Sequence, residues 1–192
     1  MDGIKVNERD GNVCLLPGVS YPEAACIVPS TTDKSATLDL DWVLQSFWGV
    51  DKALAWSDLF QNPATTQSIA NYLSLGHHLS FKHNMAMFAL KPVARTPTTI
   101  TLQFHWLRRT NLRPWMLINA SPGTVLDWAG LRDAEWGSDL AHRPSGAPIN
   151  TGQTFVVRAE REKCLPNFEL LELRWNMLRV AAICGAGEDG DE

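Results

Sequence analysis

TTITLQFHWL, residues 98–107, alternates Ile100, Leu102, Phe104 and Trp106 with Thr99, Thr101, Gln103 and His105. A period of two marks a strand with one buried face and one wet face. Phe104 and Trp106 then point into a core and His105 points the other way, outward or into a cleft. Arg108 and Arg109 follow at the strand end. A solvated strand end explains this cluster simply; a clamp for a carboxylate or carbonyl explains it as well.

Working outward, residues 87–91 read as a partner strand and 77–84 as a short helix. Asn71 to Leu75 reads as a loop or short strand. Downstream, 119–150 is rich in Gly, Pro, Asp and Ser and reads as a long surface excursion. QTFVVRA (153–159) is a further strand, with Phe155 and Val157 on one face. In LPNFELLELRWNMLRVAAIC (165–184), Phe168, Leu171, Trp175, Leu178 and Ala182 fall on one helical face, which predicts a long amphipathic C-terminal helix. Upstream, Leu40, Val43, Leu44, Phe47 and Trp48 recur at helical spacing, Gly49 stops that helix, and Asp51 is placed to cap another. VCLLPG (13–18) and AACIVP (24–29) read as a β-hairpin, and residues 1–12 as a polar, frayed end. The fold class is α+β: one domain over 1–187, with GEDGDE closing the chain and 188–192 an acidic tail.

The chain has 192 residues, 45% hydrophobic and 20% charged, which is enough apolar side chain for a sizeable core and excludes a disordered chain. No apolar run approaches the ~20 residues of a membrane span, and the polar N-terminus shows no secretory pattern. A cytoplasmic protein without membrane contact is the expectation. Net charge is −4, so nucleic acid is an unlikely partner. Cys14, Cys26, Cys164 and Cys184 match no zinc spacing and read as reduced thiols. Eight tryptophans imply either a Trp-rich core or an aromatic-walled pocket. No nucleotide-binding or common hydrolase motif is present, so no cofactor is expected.

Two blocks, RDGNVCLLPGVSYPEAACIVPSTTDK (9–34) and NYLSLGHHLSFKHNMAMFALKPV (71–93), together with the C-terminal helix, resemble the HNH endonuclease domain proteins common in fungi. The resemblance implies an HNH-like ββα core, a hairpin plus a short helix, with added helices and a small antiparallel sheet. In such a site one His activates water, an Asn fixes the loop that carries it, and a His on the helix holds a divalent metal. Here the corresponding positions are Cys26, Asn71 and Ser80, and the family's aromatic-Asp pair falls at His83-Asn84. A thiol is a poor water-activating base and a hydroxyl a poor ligand beside imidazole. No metal is therefore expected.

The resemblance implies a scaffold without nuclease activity. Its reuse as a cofactor-independent enzyme on an apolar small molecule is the leading expectation: a cyclisation, a Diels-Alder-type cycloaddition or an isomerisation in fungal secondary metabolism, as in natural-product pericyclases. Catalysis is assigned to His105, Arg108 and Arg109, and substrate binding to Trp106, Trp115, Asn71 and His78. Two alternatives stay open. One is a non-catalytic module binding protein or nucleic acid. The other is a nuclease whose metal site is displaced onto His77, His78 or His83.

Overall fold

The computed structural model describes residues 2–17, 21–29, 43–108 and 145–183. It is a mixed helix-and-strand fold with two small antiparallel sheets and a long C-terminal helix. The chain opens with α1 (Asp2–Arg9), where sequence reading expects fraying. A polar helix of this length is marginal alone; tertiary contacts hold it. Val6 is fully buried, and the Arg9 and Asp10 side chains are only 3% and 4% exposed. Arg9 donates to the Asp10 carboxylate at 2.6 and 2.7 Å and to the carbonyls of Ile69, Tyr72 and Cys164. One guanidinium thus ties α1 to the chain around Ile69, Tyr72 and Cys164, pairing one carboxylate and donating to three backbone carbonyls.

β1 (Glu23–Cys26) does not pair with 13–18 as a hairpin. Its partner is β2 (Tyr72–Leu75), antiparallel, with Glu23 opposite Leu75 and Cys26 opposite Tyr72. The 13–17 segment turns to β2 as well, through the Leu15 N–H to the Ser74 carbonyl. The reason is burial: Cys14 and Leu16 sit in one core cluster with Leu73 and Leu75 of β2. Between β1 and β2 lie helical residues 43–48, α2 (Val50–Gln61) and the single-turn α3 (Pro63–Thr66). Gly49, at φ 81°, caps α2; Asp51 lies inside the first turn, where its charge favours the helix N-terminus.

α4 (His77–Asn84) follows β2 directly after Gly76. It ends in a 6→1 bond from Met87 N–H to Lys82 C=O and a bond from Ala86 N–H to His83 C=O. Ala86 occupies the left-handed position of this motif at φ 52°, a place usually held by Gly. The second sheet follows: β3 (Phe88–Arg95), β4 (Thr99–Trp106) and β5 (Thr154–Arg158), in that spatial order and all antiparallel. Ile100, Leu102 and Phe104 are fully buried, as the alternation of 98–107 requires. Each such side chain contributes about 1.5–3 kcal/mol.

α5 (Phe168–Ile183) crosses the β3 edge. Leu170, Leu171 and Leu173 enter the main core. Leu178 and Ala182 instead pack with Ala86, Ala89 and Leu107 in a second, smaller cluster. The three-stranded sheet is therefore covered on its back face by the C-terminal half of α5, and small residues at 86 and 89 allow that approach. Of the expected stripe, Leu171, Leu178 and Ala182 are buried; Phe168 and Trp175 are half-buried.

Candidate functional site

The strand alternation that buries Phe104 sends His105 to the back face of the sheet, toward α5. There its ring centroid lies 4.9 Å from that of Trp175. Lys91 of β3 and Arg179 of α5 stand beside it, and the Arg179 guanidinium lies 5.1 Å over the Trp175 ring, a cation–π geometry. With Trp106, Leu107, Arg108, Ala182 and Ile183 these residues line a cleft of about 520 Å³. Three elements build it: β4 supplies the imidazole, β3 the ammonium, and α5 the indole wall and guanidinium.

The walls are held in place by bonds outside the cleft. Trp106 donates its indole N–H to the Ile149 carbonyl at 3.0 Å, and its backbone N–H to the Thr151 hydroxyl at 3.0 Å. Its ring meets Phe104 edge-on at 4.8 Å. His105 bonds through Nε2 to Gln103 Oε1 at 2.9 Å. Gln103 shares its strand face because it lies two residues earlier. Burial, then the Lys91 and Arg179 charges, hold the imidazole below its ordinary pKa, so the ring is neutral at pH 7. Cations, a neutral imidazole and flat apolar walls suit a planar, apolar ligand that carries negative charge or gains it in reaction.

The structure thus brings His105, Trp106 and Arg108 together. Arg109 and Trp115 lie outside the described residues. Asn71 and His78 do not line the cleft. Asn71 is fully buried; its Oδ1 accepts from Val28 N–H at 3.0 Å, and its Nδ2 donates to the carbonyls of Val28 and Thr66 at 2.7 and 2.9 Å. Its capacity is spent joining the chain after β1 to the start of β2. His78 is exposed on the first turn of α4, 6.0 Å ring to ring from His77. Lys91, Gln103, Trp175 and Arg179 were not singled out from sequence as site residues. The two-residue step from Gln103 to His105, and the four-residue step from Trp175 to Arg179, are the signals that could have found three of them; no such local signal marks Lys91.

The positions that the resemblance implied look different. Cys26 is exposed at the end of β1, and Ser80 is buried on α4. His77 Nδ1 lies 3.0 Å from the Glu23 carboxylate, and that hydrogen bond, outweighing the opposite pull of burial, draws the carboxyl below its usual range. Arg174 donates to Asn84 Oδ1 at 2.8 Å, while its buried Nε finds no partner among the described residues. Burial pulls the Arg174 pKa down to about 10, against the opposing influence of Cys26, so it stays cationic at pH 7. His83, fully enclosed against Phe88 and near Arg174, is pushed down to about 3 by burial first and that charge second. Among the described residues no group of three His, Cys, Asp or Glu side chains is placed to hold a metal ion. Nor is any described helix long and apolar enough to cross a membrane.

A larger groove, of about 730 Å³, lies between α1, Thr98–Thr99 and the chain after β5. Its charges are mixed, with Lys5, Arg158 and Arg161 against Glu8 and Glu160, and Arg9 on its floor is spent on backbone carbonyls. Size alone favours it, but it holds no imidazole and no indole. The chemistry therefore points to the smaller cleft.

Four of the eight tryptophans fall among the described residues. Trp56 is core, with Trp48 packed on it at 5.7 Å; Trp106 and Trp175 wall the cleft. No protein-family model matches the chain, and neither a curated protein nor a solved structure matches it.

Proposed function

We propose that the cleft at His105 is the active site of a cofactor-independent enzyme. It would cyclise or isomerise an apolar, conjugated small molecule, on a scaffold of HNH type whose reactive positions have become Cys26 and Ser80. The observation that carries this reading is the meeting of His105, Lys91, Arg179 and Trp175 around one opening. An indole wall fixes the fold of a flexible polyene, and orientation of that kind can supply up to ~7–11 kcal/mol of barrier. A cation or hydrogen-bond donor at a conjugated carbonyl stabilises the charge that grows there, an effect of about 10²–10³ in rate per donor in known sites. The order β1, β2, α4 and the buried Asn71 tether support the scaffold part of the reading. An apolar product of fungal secondary metabolism is the substrate class that the resemblance adds.

The test uses cis-parinaric acid, a fluorescent conjugated polyene carboxylate, and its methyl ester. The acid should bind, quench tryptophan emission, and bind more weakly as the ester. Lys91→Ala, Arg179→Ala and Trp175→Ala should each weaken binding of the acid by about tenfold, near 1.4 kcal/mol. Folded variants that bind it as the parent does would place the ligand elsewhere. Turnover of polyenes is read in the same samples as loss of the conjugated absorption band.

A further inference from the structure

The hydrogen bonds beside the cleft decide which nitrogen of His105 carries the hydrogen. Gly152 sits in a turn at φ 94°, a conformation open to Gly, and its N–H bonds back to the Phe104 carbonyl at 2.8 Å. The turn presents the Gly152 carbonyl to Gln103, whose Nε2 donates to it at 3.2 Å. A carbonyl can only accept, so the Gln103 amide has one orientation, with Oε1 toward His105. Oε1 can also only accept, so Nε2 of the imidazole, 2.9 Å away, must carry the hydrogen. In the neutral ring the lone pair is then on Nδ1, and no hydrogen bond to Nδ1 is present among the described residues.

Resting on the cleft reading above, we infer that His105 is the proton acceptor of this site through Nδ1, with Gln103 as the residue that positions its tautomer, and that the reaction class is proton transfer next to a carbonyl. The charged groups around the ring are Lys91 from β3, Arg108 at the end of β4 and Arg179 from α5. No described residue lining the cleft is acidic, so Lys91 and Arg179 meet no carboxylate of the described lining there. The chemistry balances without a co-reactant. Nδ1 takes a proton from the carbon beside the carbonyl, and the C–H electron pair passes into the enolate, whose oxygen is held by Lys91 and Arg179. The imidazolium then returns the proton at the far end of the conjugated system. The double bond has moved and the imidazole is as it began. Neutral imidazole at pH 7 keeps this base available.

The experiment starts with 15N NMR of histidine-labelled protein, the His105 signals assigned by their loss in His105→Phe. The parent should show neutral His105 with the proton on Nε2. Gln103→Leu should give mixed tautomers, and Gln103→Glu, whose carboxylate also accepts, should restore the Nε2–H form. A mere packing role for Gln103 would leave the tautomer unmoved. The second arm adds 4-nitrophenol, a planar acid, near pH 6. The parent should raise the ratio of yellow phenolate to phenol about tenfold over free probe, one pKa unit, and His105→Phe should keep only the smaller part of that gain that Lys91 and Arg179 supply. A parent with the proton on Nδ1, or with no added phenolate, overturns the inference. If cis-parinaric acid still binds in that case, the cleft reading survives; if it does not bind at all, the cleft reading itself has failed.

Discussion

His83 packs on the aromatic cluster of the core and His105 on Trp175 at the cleft; burial and a nearby arginine lower the pKa of both imidazoles, but their exposure and bonding differ. His83 packs on Phe88, which stacks on Phe104 at 5.0 Å, which meets Trp106 at 4.8 Å. His83 is 4% exposed and driven down to about 3, so it works as a neutral core side chain. His105 is half-buried, lines a cleft and has one nitrogen bonded, with no hydrogen bond to the other among the described residues. The arginines divide likewise. Arg9 spends its donors on one carboxylate and three carbonyls, while Arg179 lies over an indole at the cleft wall. A polar residue type in the sequence says little about role. What separates architecture from chemistry is whether its bonding capacity is used up inside the fold.

The sharpest way to break this contrast is Arg9→Ala. It leaves the Asp10 carboxylate buried without its cation and removes the Arg9 bond from three carbonyls. The expected loss is about 3–5 kcal/mol, the range for half of a buried pair, read by urea denaturation. Lys91→Ala, on the cleft side, should change stability by less than about 0.5 kcal/mol while weakening cis-parinaric acid. An Arg9→Ala protein as stable as the parent would mean that α1 is not tied down as described.

The next effect is one of pH. The unfolded chain holds His83 near pKa 6.5, and the fold holds it near 3. Between those values the unfolded state binds more protons, so stability rises with pH there. Acidification through that window should therefore cost up to about 1.4 kcal/mol per pH unit from this group. It should be fully expressed once pH falls to about 3. His83→Leu should flatten the curve between pH 6.5 and 3; an unchanged slope would assign the acid sensitivity to the carboxylates.

Sequence made the local parts of this design readable and hid the parts made by distant contacts. Strand 98–107 and helix 77–84 follow from periodicity, which is local. So does the placing of His105 opposite Phe104. The β1–β2 pairing joins segments 45 or more residues apart, and nothing in 13–18 shows that it will turn to Ser74. α1 looked frayed because its anchor, Arg9, gains meaning only when the carbonyls of Ile69, Tyr72 and Cys164 converge on it. The cleft was half legible: β4 announced His105 and Trp106, but Lys91 and Arg179 become its cations only because α5 crosses the sheet. Trp175 was read as core stripe. It faces the cleft because small residues at 86 and 89 let Leu178 and Ala182 take the buried positions.

Ala86 is where the two regions join, and it offers the finest test. Its φ of 52° costs an L-residue roughly 1–2 kcal/mol, a strain that Gly would not bear. Against that relief stand two losses: a buried methyl, about 0.8 kcal/mol, and the greater unfolded-chain entropy of Gly, about 0.4–1 kcal/mol. The sums nearly cancel, so Ala86→Gly should shift stability by under about 1 kcal/mol. Ala86→Val should be far worse, because a β-branched side chain is strained at positive φ and would push on Leu178 and Ala182. If the strained turn alone matters, Gly should stabilise and leave cis-parinaric acid binding untouched. If the methyl also sets how closely α5 lies on the sheet, Gly should loosen Trp175 and weaken that binding even at equal stability. The second outcome is expected, since Ala86 is 1% exposed within the cluster that seats the cleft end of α5. Equal binding and a rise in stability would show that the cleft does not depend on this contact.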